Sequence, residues 1–119
     1  MVDVRFGALV IRAEVADTER LREHGLMGRR ALAANAGMLF LWPDEAERRF
    51  YMKDTLIPLD LIVIRARHVV AVLTLQPCHA EPCPISPTPT ADSVLEVNAG
   101  TAARAGIIAG ARVTSPVLR

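Results

Sequence analysis

The chain holds a single lysine, Lys53; the other thirteen of its 14 basic residues are arginine, and they stand against 13 acidic residues for a formal net charge of +1. Without a basic excess there is no sequence-wide attraction for phosphate backbones, which argues against nucleic acid as a partner. No apolar run reaches the roughly 20 residues that a membrane-spanning helix needs. The N-terminus, Met1-Val2-Asp3-Val4-Arg5-Phe6, has an acid at position 3 and lacks the basic stretch and apolar core of a secretion signal, so the chain as given is expected in the cytoplasm. Cysteine is scarce too: only Cys78 and Cys83. With four residues between them they do not form the redox motif, which needs two. His79 lies beside them, but a structural zinc site wants four ligands, commonly from a second spaced pair, and that pair is missing. A disulfide across so short a loop is sterically allowed, and a reducing compartment would leave two thiols.

What is present fits one compact domain. The 119 residues are 51% hydrophobic and 23% charged, ordinary globular usage, and at this length about two thirds of the unfolded surface is buried on folding without metal or disulfide staples. Alternation at Val2, Val4 and Phe6 and the stretch Leu9 to Val15 predict one bent strand or two short ones. Asp17 is the expected N-cap of a helix ending at Gly25, and Ala31 to Ala34 a second helical turn. Met38 to Trp42, halted by Pro43, has the length of a strand buried on both faces. Asp44 to Arg49 is charged and predicts a loop or an exposed turn. Leu59 to Arg65 and Val69 to Leu75 predict a hairpin with a longer loop, because Ala66-Arg67-His68 lacks the Gly or Asn of a tight turn. Prolines crowd the segment from Pro77 to Pro89, expected to be an irregular surface loop. Ser93 to Val97 resumes a strand, Asn98 is the expected cap of a helix ending at Gly106, and Arg112 to Val117 closes the chain as a final strand. Many short strands with two or three short helices predict a mainly β single domain, a β-sandwich or jelly-roll-like barrel.

Five motifs, Gly25-Leu26-Met27-Gly28-Arg29, Gly37-Met38-Leu39-Phe40, Tyr51-Met52-Lys53-Asp54-Thr55, Ile57-Pro58-Leu59-Asp60 and Leu95-Glu96-Val97-Asn98-Ala99-Gly100, resemble in order and spacing the uncharacterised DUF192 (UPF0127) family over Leu9 to Val113. The resemblance implies a sandwich-like or jelly-roll-like fold and relatives in bacteria and archaea, many of which look exported or lipid-anchored. It implies no settled activity and no cofactor. The family often has an aromatic where Gly28 stands, Trp for Tyr51, Asn for Asp54 and an acid for Ala111. An ionised Asp54 cannot donate as an Asn amide does.

Two carboxylates stand out because each interrupts an apolar run: Asp60, between Leu59 and Leu61, and Glu96, between Leu95 and Val97. Each needs a partner. The bland expectation for Asp60 is a structural acceptor for backbone N–H groups or a pair with Arg29, whose guanidinium follows two glycines. Met27, Met38 and Met52 suit core filling. Lys53 and Thr55 flank Asp54 and suit an anion or a simple bend. His24, His68 and His79 fall at a helix end and in loops, with no nucleophile motif nearby, and no glycine-rich phosphate loop is present. The expected function is binding of a small molecule or peptide in a pocket formed by Arg29, Met52, Lys53, Asp60 and Glu96. The alternatives are a hydrolase or lyase with Asp60 and Glu96 as acid and base, and an interaction domain using the proline-rich loop and a sheet edge. No metal site and no cofactor are expected.

Overall fold

A computed structural model describes all residues, 1–119. It is a mainly β single domain with two short helices, and its sheet is open rather than a closed barrel. In chain order the elements are β1 (Val2–Phe6), β2 (Leu9–Ala16), α1 (Glu19–His24), β3 (Ala36–Ala46), β4 (Arg49–Tyr51), β5 (Leu59–Arg65), β6 (His68–Leu75), β7 (Ile85–Pro87), β8 (Ala91–Asn98) and α2 (Thr101–Ala105). Six strands make one mixed sheet in the order β1-β2-β3-β8-β5-β6, with β2 and β3 parallel and the rest antiparallel; β4 and β7 form a separate two-stranded ribbon.

The chain end clasps the two edges of the large sheet. Arg5 of β1 exchanges backbone bonds with Thr114 (2.8 and 3.1 Å), and Val69 of β6 donates to Ala111 at 2.8 Å. A short segment touching both outermost strands requires the sheet to curl. The clasp replaces the final strand expected over Arg112 to Val117, which contributes isolated bridges only.

Curling gives the sheet an inner and an outer face, and period-two alternation sorts the side chains between them. Val4, Ile11, Leu39, Ile62, Ile64, Leu95, Val97 and Val113 fill the inner core. Met38, Phe40, Leu59, Leu61, Val63 and Val94 face outward, where Leu26 and Met52 cover them. Both faces of β8 are therefore covered, and Ala91 to Val97 are all buried. Gly37 lets β3 and β8 approach: a Cβ there would lie 2.5 Å from the Glu96 carbonyl oxygen.

Local expectations are corrected in several places. Thr18, not Asp17, caps α1, accepting from the Leu21 N–H at 3.2 Å. Ala31 to Ala34 form no helix, and Asp44 to Ala46 extend β3 rather than looping. Within the proline-rich segment Ile85–Pro87 pairs as β7, and Cys78 and Cys83 are joined in a disulfide. α2 begins after Gly100, not Asn98; Asn98 instead donates to the Leu32 carbonyl at 2.7 Å. The β5–β6 hairpin turns on two residues, because Arg65 pairs with His68. Ala66 and Arg67 both take positive φ (50° and 63°), the geometry of a type I′ turn. The Asp92 carboxylate holds that turn by accepting from the Ala66 N–H at 2.9 Å. Ala66→Asn, which suits this conformation, is expected to raise the melting temperature by a few degrees, roughly 1 kcal/mol; an unchanged or lower melting temperature would refute the turn assignment.

Candidate functional site

Asp60 and Glu96 lie on neighbouring strands but face opposite ways. Glu96 is registered with Leu61 and Asp60 with Val97, so alternation sends Glu96 to the outer face and Asp60 to the inner one. Two carboxyls on opposite faces of a sheet cannot act together on one bond, which removes the acid–base pair expected from the sequence.

Asp60 is fully engaged. One oxygen accepts from the backbone N–H groups of Gly100 and Ala102 (3.0 and 3.1 Å), and the other from the Thr74 hydroxyl at 2.7 Å. It thereby satisfies free donors at the start of α2. Arg29 makes two parallel bonds, 2.6 and 2.8 Å, to Glu14 rather than to Asp60, and this pairing holds the Glu14 carboxyl below its ordinary range. Lys53 meets Glu81 at 3.2 Å on the surface, where the Cys83 N–H and the ammonium lower the Glu81 pKa. Met52 is packed into the outer core. Asp54 has φ 56°, a conformation Asn and Asp tolerate better than most residues, so backbone geometry accounts for the residue type there.

Glu96 differs from all of these. Its side chain is 5% exposed, lies between Met38 of β3 and Leu61 of β5 on the outer face, and meets no protein donor or cation. Burial alone pushes its pKa from 4.5 to about 8. Its carboxyl opens into a cavity of about 580 Å³, within the range of small-molecule sites.

Each wall of the cavity follows from local structure. α1 and the turn it leads into, Gly25 to Met27, form one side; Gly25, at φ 51°, ends the helix and carries the chain over Phe40. Glu47 to Tyr51 form the other side, held by the pairing of β4 with β7. Leu26, Phe40, Thr55 and Glu96 are its buried lining side chains. The chain has only five aromatic residues, and four of them, Phe40, Trp42, Phe50 and Tyr51, line this hollow. Phe50 stands edge-on to Phe40 and Trp42, with centroids 5.3 and 6.2 Å apart, a favourable aromatic geometry. The Arg48 guanidinium lies 4.4 Å from the Trp42 ring centre and donates to the Ala91 carbonyl and to Asp44. Arg22 lies 5.7 Å from the same ring and donates to the Leu41 carbonyl.

Of the five residues expected to form a pocket, only Glu96 lines this one; Arg29, Met52, Lys53 and Asp60 do not. The sequence did carry a signal for the missed walls: the sparse aromatics concentrate between Phe40 and Tyr51. Four of the five motifs also converge here, through Gly25 to Met27, Phe40, Tyr51 with Thr55, and Glu96.

Fold and site together define a class: a small curled-sheet domain with an aromatic-walled hollow over a buried acid. The chain belongs to the DUF192 family, described as an uncharacterized ACR, whose match covers residues 2–115. The crystal structure of a Sinorhizobium meliloti protein put forward as a transcription regulator is similar, with a TM-score of 0.87 at 31% identity over 98% of this chain and 93% of that one. A Novosphingobium aromaticivorans protein of unknown function matches with a TM-score of 0.82 at 34% identity, over 95% of this chain and 82% of the other. No curated protein matches.

The two carboxyls predict opposite responses. Asp60→Asn disturbs three hydrogen bonds and is expected to destabilise by about 1–3 kcal/mol, read as a lower melting temperature. For Glu96 the folded pKa lies above the unfolded one, so its stabilising effect is complete below about pH 4.5 and is lost as pH rises through about 8. Wild-type stability is therefore expected to fall by several kcal/mol between about pH 5 and 8.5 relative to Glu96→Gln. Parallel pH curves for the two proteins would contradict the burial of an unpaired acid.

Proposed function

We propose that this domain is a binding module whose ligand, a small molecule or short peptide, enters the aromatic hollow and hydrogen-bonds to Glu96. One observation carries the reading: a carboxyl that is almost wholly buried, has no protein partner and faces a cavity. Burial without a protein partner penalises the ionised carboxylate, a penalty that a donor from a bound ligand relieves. The aromatic walls supply apolar area and shape, and the acid supplies orientation, the usual division of labour in a small-molecule site.

The rival readings have less support. Separation of Asp60 from Glu96 leaves a hydrolase or lyase without its second carboxyl. The large exposed apolar residues, among them Met1, Leu56, Ile85 and Ile108, are far apart in sequence, and Leu21 and Tyr51 share a shallow hollow beside the cavity with the charged Arg20 and Glu23, which gives an interaction domain less support. Nucleic-acid binding, which the description of the Sinorhizobium meliloti relative as a transcription regulator would suggest, has little support in a chain whose 14 basic residues against 13 acidic ones give no basic excess. No helix is long and apolar enough to cross a membrane. The Cys78–Cys83 disulfide favours an oxidising compartment over the cytoplasm expected from the N-terminal residues.

Trp42 is the chain's sole tryptophan and lines the cavity, so its emission reports on the site without labelling. In a panel of amines, sugars, carboxylates and short peptides, a ligand is expected to change that emission and raise the melting temperature. Glu96→Met keeps the side-chain volume and removes the polar group; it is expected to be more stable than wild type by about 1–3 kcal/mol at neutral pH and to lose the ligand response. Ligand responses that are identical in wild type and Glu96→Met would exclude Glu96 as the anchor.

A further inference from the structure

We propose that the cavity is built for an organic cation: an alkylammonium group held by the Glu96 carboxylate, on a carbon skeleton that packs against Phe40, Trp42 and Phe50. This rests on the reading of the hollow as a binding site and names the class of ligand it takes.

The argument starts from what the cavity offers each kind of charge. Aromatic faces carry negative quadrupole density and attract cations. The only ionisable side chain at the deep end is Glu96, and its carboxyl can become an anion but never a cation. An ammonium nitrogen arriving there forms a charge-assisted hydrogen bond to a carboxyl that is itself almost wholly buried, where such bonds are stronger than in open water.

An anion finds a weaker reception. Arg48 turns Nε and Nη2 to the Ala91 carbonyl and to Asp44, Arg22 gives one bond to the Leu41 carbonyl, both guanidinium groups lie near the Trp42 ring, and neither bonds to Glu96. Of the other charged groups facing the hollow, α1 contributes Glu19, Glu23 and His24, and the opposite wall contributes Glu47 and Arg49. Three carboxylates outside any ion pair thus stand against two such guanidinium groups, Arg22 and Arg49, so the mouth adds only a slight bias toward a positive visitor and the buried carboxyl carries the selectivity. An anionic ligand would hold Glu96 protonated and accept one charge-assisted bond from its O–H, without the opposite full charge that an ammonium finds in the carboxylate.

The proton balance gives a distinctive signature. Burial keeps Glu96 largely protonated at neutral pH, whereas an alkylammonium needs it ionised. Binding therefore transfers the Glu96 proton to solvent while the amine keeps its own, releasing close to one proton per ligand near pH 7.

Benzylamine, benzyl alcohol and benzoate share a skeleton and differ in charge, and their affinities can be compared through Trp42 emission. At pH 7 benzylamine is expected to bind at least about tenfold more tightly than benzyl alcohol, with benzoate weakest. Calorimetry in buffers of different ionisation enthalpy should register the released proton. Glu96→Gln is expected to bring the amine-to-alcohol ratio close to unity. If that variant fails to fold, the proton count on the wild-type protein decides the question. Benzyl alcohol or benzoate binding as tightly as the amine, or amine binding without proton release, would overturn the cation assignment and leave the cavity as a site for other ligands. Silence from all three probes would remove the binding reading along with it.

Discussion

The burial of β8 on both faces is the constraint on which the rest of the structure depends. Its neighbours β3 and β5 clamp it in the middle of the curled sheet, and the clasp at Ala111 to Thr114 draws the sheet edges together around the inner core. Every side chain of β8 from Ala91 to Val97 must then suit an interior. Apolar residues do so at no polar cost, and polar ones do so only when their bonding capacity is met. Asp92 meets this demand through the Ala66 N–H and the Ser93 hydroxyl. Glu96 does not, and it is the departure from that rule that marks the outer face as the place to look for a ligand.

The contrast with Asp60 shows why burial alone is a poor guide to function. Both acids interrupt apolar runs, both lie in central strands, and both are nearly sealed from solvent. Asp60 points toward the inner core, where the start of α2 presents backbone donors that need an acceptor, and its negative charge stabilises the helix start it touches. Glu96 points toward methionine, leucine and aromatic side chains, which supply neither donors nor positive charge. The difference arises from which face of the sheet each strand position presents: a carboxyl is structural on one face and without a protein partner on the other.

Much of the architecture is legible in the sequence. Leu59 to Arg65 and Val69 to Leu75 announce their hairpin through β-branched apolar runs, and the alternation around Glu96 identifies it as a buried strand residue. What is hidden depends on long-range contacts. The tight turn at Ala66 and Arg67 contradicts local preference because Asp92, distant in sequence, stabilises it. Arg29 finds Glu14 rather than Asp60 because β2 runs parallel to β3 and lies on the same side as the α1 turn, and nothing local to either residue specifies that crossing. The cavity walls were obscured for a different reason. Aromatic residues at Phe40, Trp42 and Phe50 suit a core as well as a binding surface, and only the separation of β4 from the main sheet leaves a hollow between them.

The two arginines over Trp42 complete the physical picture. An arginine beside a buried acid is the simplest way to neutralise it, and Arg22 and Arg48 both line the same hollow as Glu96. They bond instead to the carbonyls of Leu41 and Ala91, where they fix the rim and pack against the tryptophan. Fixing these side chains has two consequences at once: the walls are preorganised, which lowers the entropic cost of binding, and Glu96 is left without the internal counterion that would fill its bonding capacity. A fold selected for stability alone would replace such a carboxyl by an apolar side chain of similar volume, because an unpaired buried acid weakens the domain increasingly as pH rises. Its presence beneath an aromatic wall and a charged rim is what the proposed binding role accounts for, as stability exchanged for recognition.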